Sequence, residues 1–91
     1  MNVLEEAQAA VDGPRRQDYG IPREDFARIA AMWSEVIGAP VTPEQAVLCM
    51  ILVKVSRLCH SPMHRDSVVD IAGYARVYEM LTYPDGPPDR R

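Results

Sequence analysis

The single lysine of this chain, Lys54, lies within its most apolar segment. Residues 46–58 read Ala-Val-Leu-Cys-Met-Ile-Leu-Val-Lys-Val-Ser-Arg-Leu, so that only Lys54 and Arg57 carry a charge there. Burying a lysine amine without a partner costs several kcal/mol or drives the amine neutral. Any fold of this chain must therefore bring a carboxylate or an anionic ligand to Lys54, or leave its amine in water.

Apolar spacing and end signals predict an all-α fold of four helices, with no strand-like alternation. The chain has 91 residues, which suits one small domain. We expect residues 1–82 to form a compact helical bundle and residues 83–91, rich in proline, to form a flexible tail. The predicted helices are Val3–Val11, one from about Pro22 to Gly38, one from the Thr42 cap to Leu58 or Cys59, and one from about Asp66 to Leu81.

The third and fourth helices are expected to form a central antiparallel hairpin that bends near Pro62. Because residues 46–53 are apolar on every side, the third helix should be buried all round. A chain of this size can barely surround it, so a second copy should cover part of it, in a dimer or tetramer. The alternative is a monomer in which the other three helices wrap the third.

On the fourth helix we expect a core face of Val68, Ile71, Ala75 and Tyr78, with Gly73 allowing close helix approach.

Charged residues on the hairpin are spaced so that they should meet across it. Lys54 and Asp70 lie eight residues on either side of Pro62, and Arg57 and Asp66 lie five before and four after it. Asp66, Asp70 and Tyr74 share one stripe of the fourth helix. One interpretation is a structural salt-bridge network that sets the hairpin register. The other is a site for a phosphorylated ligand, with Lys54 and Arg57 on phosphate, Asp66 and Asp70 holding Mg²⁺ or ribose, and Tyr74 on a base.

The polar segment before the second helix is a second candidate for ligand binding. It contains Arg15, Arg16, Asp18, Tyr19 and Gly20 immediately before a helix N-terminus. A glycine turn at such a place can present backbone N–H groups to an anion. Ordinary turn chemistry accounts equally well for Asp18 and Gly20.

The composition of the chain limits the kinds of partner and the cellular compartment that we expect for it. The formal charge of −3 does not favour binding to nucleic acid or to an anionic membrane. The longest apolar run, residues 46–53, is far shorter than a membrane span, and the first ten residues do not resemble a signal peptide. We expect a cytoplasmic protein in which Cys49 and Cys59 are buried free thiols.

Several short blocks follow one another in a characteristic order: Asp18-Tyr19-Gly20, Phe26–Trp33, Val41–Gln45, Ile51–Arg57 and Asp66–Ala75. This order resembles a family of small uncharacterised proteins of phages that infect actinobacteria and other bacteria. More distantly, it is similar to phage nucleotide-modification-associated helical proteins and to the MazG-like all-α nucleotide pyrophosphohydrolases.

The MazG-like resemblance implies an oligomeric helical bundle that hydrolyses nucleoside triphosphates with Mg²⁺ held by clustered acidic residues. This chain departs from that pattern, because Lys54 and Arg57 stand where the acidic cluster would be and only Asp66 and Asp70 remain as metal ligands. A hydrolytic site with several metal ions normally needs more carboxylates. We therefore expect nucleotide binding rather than catalysis, in the cytoplasm of an infected host. The alternatives are a Mg²⁺-dependent pyrophosphohydrolase and a protein-interaction module.

Overall fold

A computed structural model of the chain describes residues 1–13 and 20–86. Within these ranges the structure is all-α and contains no strand, as the sequence predicts. The predicted segment around Arg16, Asp18 and Tyr19 and the last five residues of the tail lie outside the described residues. The helices are α1 (Val3–Asp12), α2 (Pro22–Ile37), α3 (Pro43–His60) and α4 (Arg65–Thr82).

The ends of the helices are set by local hydrogen bonds. The Thr42 side chain accepts a bond from the backbone N–H of Gln45 at 3.1 Å, and the Gln45 side chain accepts one from the N–H of Thr42 at 2.9 Å. This capping box confirms the predicted start of α3. Asn2 and Glu5 form a second capping box at the start of α1, which the sequence analysis did not identify.

The link between α2 and α3 is held at both of its ends. Gly38 ends α2 in a left-handed conformation, with a φ of 77°, as a glycine at this position favours. The Ser34 hydroxyl donates to the carbonyl of Ala30 and accepts from the backbone N–H of Val41 at 2.9 Å. The chain therefore turns sharply from α2 into α3 with its backbone groups paired.

Helix α4, and not α3, is the central helix of the bundle. It packs against each of the other three helices, and the α3–α4 hairpin is the most extensive of these contacts. Apart from Ser67 near its start, its buried residues recur every four positions from Val69 through Gly73 and Val77 to Leu81. The predicted core face is correct for Tyr78, which packs against the core, and wrong for Val68 and Ala75, which are exposed, while Ile71 is half-buried. The buried stripe instead contains Gly73, and α4 packs against the three other helices.

The expectation that α3 is buried on every side is not met within one chain. Only Ala46 and Val47 of this helix are buried, because α2 and α4 cover one side of it. The expectation of buried thiols was also wrong, since Cys49 and Cys59 are both exposed. The other side of α3 exposes apolar residues, among them Leu48, Leu52, Val53 and Val55. A second copy that covers this side remains a prediction.

Helix α1 is attached to α4 by packing and by ion pairs. Arg65 at the start of α4 pairs with Glu6, and Arg76 Nε lies 3.5 Å from Asp12 Oδ2. The hydrogen bond from Arg65 holds the pKa of the Glu6 carboxyl below its ordinary value. No helix in the described part of the chain is both long and apolar enough to cross a membrane.

Gly73 offers a test of how closely α1 and α4 approach each other. A Cβ atom built on Gly73 would lie 3.5 Å from Val11 Cγ2, which is ordinary van der Waals contact, so the approach leaves room for alanine. Because glycine disfavours a helix interior, Gly73→Ala should raise the free energy of unfolding by about 0.5–1 kcal/mol. Gly38→Ala is the control: its positive φ should make the same change destabilising by about 1–2 kcal/mol. Urea unfolding would measure both, and a destabilised Gly73→Ala would contradict the packing described.

The attachment of α1 should weaken in acid. Because the pKa of Glu6 is lowered in the folded state, its pairing stabilises the fold above the ordinary carboxyl pKa of about 4.3. That contribution is lost as the pH falls through the lowered pKa. Glu6→Gln should therefore remove part of the fall in thermal midpoint below this pH, measured by circular dichroism. An unchanged profile would show that the pair does not contribute.

Candidate functional site

An open cleft of about 480 Å³ lies beside the central helix. It forms because α1 and α3 both pack on α4 while no contact joins α1 to α3 within the described residues. All four helices contribute to its wall, which is mostly apolar. The described residues that line it are Ala7, Ala10, Val11, Gly20, Pro22, Asp25, Phe26, Ile29, Met50, Lys54, Val69, Asp70, Gly73, Tyr74 and Val77.

The predicted pairing of Lys54 with Asp70 is confirmed. Lys54 Nζ lies 3.0 Å from Asp70 Oδ2, across the α3–α4 hairpin and at the wall of the cleft. The two side chains are 11% and 22% exposed, so both are largely withdrawn from water while each still reaches the cavity. A charge-assisted bond of this kind is stronger than a neutral one. The apolar segment of α3 can therefore contain a lysine because α4 supplies its carboxylate.

Arg57 and Asp66 do not join this pair. Both are exposed, neither is among the residues that line the cleft, and no ion pair connects them. Each lies about one helical turn nearer to the bend than its neighbour in the cleft, which is about 5 Å along the helix axis. The spacing correctly predicted the hairpin register, but it could not show where the cleft ends.

Tyr74 lines the cleft, one turn along α4 from Asp70, and its predicted contact with a ligand stays a prediction. Its ring packs edge-on against Phe26 of α2, with the ring centroids 6.2 Å apart and an angle of 88° between the planes. This geometry is the favoured one for aromatic pairs. Both rings line the cleft, next to its charged pair along α4.

Asp25 is a cleft residue that the sequence analysis missed. Its position in the first turn of α2 suggested only a favourable interaction with the helix dipole. In the structure it lines the cleft and lies 3.4 Å from the Nη2 atom of Arg28. The adjacent Phe26 is the signal that could have indicated this role. Because Phe26 is a core residue, the end of α2 that contains Asp25 faces α4.

The described part of the cleft thus contains one lysine and two carboxylates. Asp66, the second predicted Mg²⁺ ligand, lies outside the cleft, so the pair Asp66 and Asp70 does not fit a metal ion held there. No group of three or more His, Cys, Asp or Glu side chains in residues 1–13 and 20–86 could hold a metal. Arg16, Asp18 and Tyr19 fall in the undescribed segment, but Gly20, which follows them in sequence, lines the cleft.

These features define a small all-α bundle with an ion pair at the wall of a mostly apolar interhelical cleft. Residues 2–82 match a family described as a domain of unknown function, DUF6378. The chain belongs to this family.

Two relatives come from mycobacterial phages. The Gene 55 protein of Mycobacterium phage L5 is 42% identical over 94 residues, covering 96% of this chain and 60% of its own length. The Gene 55 protein of Mycobacterium phage D29 is 40% identical over 82 residues, covering 86% of this chain and 54% of its own length. The chain therefore spans little more than half the length of these relatives. No solved structure matches it.

The energetics of the Lys54–Asp70 pair can be measured with single and double substitutions. Lys54→Met would leave a mostly buried carboxylate without its partner, which should cost about 1–3 kcal/mol of stability. Lys54→Met combined with Asp70→Leu should recover most of that loss, because apolar replacement of a buried pair is often close to neutral. Urea unfolding of the wild type, of Lys54→Met, of Asp70→Leu and of the double variant gives the coupling energy of the pair directly. A double variant less stable than Lys54→Met would contradict this description of the pair.

Proposed function

We propose that this protein binds a small phosphorylated molecule, of the nucleotide or nucleotide-derived class, in the cleft beside α4. The observation that carries the proposal is the position of Lys54, the only lysine of the chain, at the wall of an apolar cavity and 3.0 Å from Asp70. A lysine needed only for solubility would lie on the surface. Here the fold surrounds its stem with apolar groups and leaves the amine in reach of a ligand.

The size and lining of the cleft support a ligand of this class. Small-molecule sites are typically cavities of about 300–1,000 Å³, mostly apolar, with a few polar groups that fix orientation. The cavity of about 480 Å³ lies within that range. Tyr74 and Phe26 offer an aromatic wall for a base, while the Lys54 amine has hydrogen-bond donors beyond the one directed at Asp70.

In this proposal, each residue would take the role that its position allows. Lys54 would contact phosphate, and Asp70 would orient the lysine or accept a bond from a ribose hydroxyl. Asp25, directly in the cleft, is better placed than Asp66 to contact a sugar or a base. Arg57 would reach the ligand only if it extended beyond the cleft toward the bend, and Arg16, Asp18 and Tyr19 would contribute from the segment that precedes Gly20.

Binding without turnover fits the charges of the cleft better than hydrolysis does. Mg²⁺ is usually held by one or two carboxylates together with substrate phosphates, and one of the two described acidic groups of the cleft is already paired with Lys54. In this proposal, the protein is a homo-oligomer, either a dimer or a tetramer, and it acts in the cytoplasm of a phage-infected bacterium. Two roles suit such a protein: sequestration of a host signalling nucleotide, or participation in phage nucleotide metabolism.

A thermal-shift experiment tests the proposal. The intact chain is heated with nucleoside triphosphates and monophosphates, deoxynucleotides, cyclic di- and trinucleotides and NAD-derived compounds, with and without Mg²⁺. A ligand at 100 times its dissociation constant adds about 2.7 kcal/mol of stability, and about 1 kcal/mol moves the midpoint of a domain this small by roughly 4–8 °C. The shift should disappear in the variant that combines Lys54→Met with Asp70→Leu.

Arg65→Met is the matched control, because it also removes an interhelical ion pair, Glu6–Arg65, but lies outside the cleft. It should keep the ligand-induced shift at full size. Lys54→Arg should keep part of it, since the cation remains. The absence of a shift with every compound, or a shift of equal size in the double variant, would refute the proposal. Release of phosphate or pyrophosphate from a compound that binds would instead identify the protein as a pyrophosphohydrolase.

A further inference from the structure

The exposed side of α3 is unusually apolar for a helix surface. Of the ten exposed residues of this helix, only Arg57 carries a fixed charge, and six are Leu, Val or Cys. Leu52 is 64% exposed and Val55 is 40% exposed. A continuous apolar surface of this kind on a small protein marks an interaction site. The six residues, which we call the α3 face, are Leu48, Cys49, Leu52, Val53, Val55 and Cys59.

The spacing within this face indicates a helical partner. Leu48, Leu52, Val55 and Cys59 follow one another at alternating intervals of four and three residues along an 18-residue helix. This is the repeat that forms the contact line between two supercoiled helices. The undescribed segments of the same chain, 14–19 and 87–91, contain Tyr19 as their one large apolar side chain apart from proline. They therefore cannot supply a matching apolar stripe.

The ends of α3 favour a second copy in the opposite direction. Glu44 lies in the first turn and His60 in the last turn, whereas Arg57 lies about 140° around the helix from Leu52, away from the α3 face. A parallel pair would bring like helix-dipole ends together, whereas an antiparallel pair brings each N-terminal end to a C-terminal end. An antiparallel second copy therefore fits both the helix dipoles and the spacing of the α3 face.

We propose that two copies of the chain associate through the α3 face, with their α3 helices antiparallel about a two-fold axis. In the register that places apolar residues opposite one another, Leu52 meets Val55 of the partner subunit, and Leu48 meets Cys59 of the partner subunit. The axis passes between Val53 and Lys54 in sequence. Four apolar layers are then buried, and the arrangement closes on itself as a symmetric dimer does.

This dimer leaves the ligand cleft open. Successive residues turn by about 100° around a helix axis, so Leu52 and Lys54 point to nearly opposite sides of α3. The two clefts would face outward on the two sides of the dimer. The inference is therefore independent of the proposed ligand, and each can fail without the other.

The oligomeric state of the intact chain tests the inference. Light scattering behind size exclusion should give twice the chain mass of 10.2 kDa at micromolar concentrations. Leu52→Glu, at an exposed position where the fold does not need the leucine, should give a folded monomer of the single-chain mass. Leu4→Glu is the matched control, since Leu4 is an exposed leucine on α1, and it should remain dimeric. A monomeric wild type, or a dimer unaffected by Leu52→Glu, would overturn the inference.

Disulfide trapping tests the register. With Cys49 and Cys59 replaced by Ala, one protein carries Leu52→Cys and another carries Val55→Cys. A mixture of the two should form a covalent dimer on mild oxidation, and neither protein alone should do so to a comparable extent. Cross-linking of Leu52→Cys with itself in preference to the mixture would overturn the proposed pairing. Circular dichroism would confirm that each variant is folded.

Discussion

The packing of α4 against all three other helices is the contact on which the rest of the structure depends. Its buried stripe of Val69, Gly73, Val77 and Leu81 recurs every four residues, which keeps these side chains on one side of the helix. Gly73 lets α1 approach closely, while Val77 and Leu81 enter the core formed with Phe26 and Val47. A chain this short has one hydrophobic core, and α4 is the helix that contributes to all parts of that core.

The cleft is a consequence of that arrangement. Since α1 and α3 each pack on α4 without packing on each other, a space remains between them, and the Lys54–Asp70 pair lies at its wall. The Asp70 carboxylate pairs with the Lys54 amine inside an otherwise apolar part of α3. This pairing sets the register of the α3–α4 hairpin. The same pair presents a polar group to the cavity. A structural role and the proposed ligand-binding role therefore do not compete, because one partly exposed ion pair could serve both.

The two sides of helix α3 have different surroundings. One side carries Met50 and Lys54 into the cleft, and the other exposes the α3 face to solvent. A helix that is apolar all round reads as fully buried from sequence alone, yet in one chain α3 is covered on one side only. This exposed apolar surface is the observation on which the proposed association of two copies of this DUF6378 family member rests.

Several features of the molecule follow from the sequence by itself. The four helices and most of their ends could be predicted, because signals such as Pro22, Gly38 and Thr42-Pro43 act locally. The Lys54–Asp70 pairing could be predicted too, because a short turn fixes which residues of two antiparallel helices lie opposite. Only the tertiary structure decided that α4 is central, that Asp25 lines the cleft and that Arg57 and Asp66 face water. These outcomes depend on how whole helix faces compete for a small core, and residue spacing along one helix carries no information about that competition.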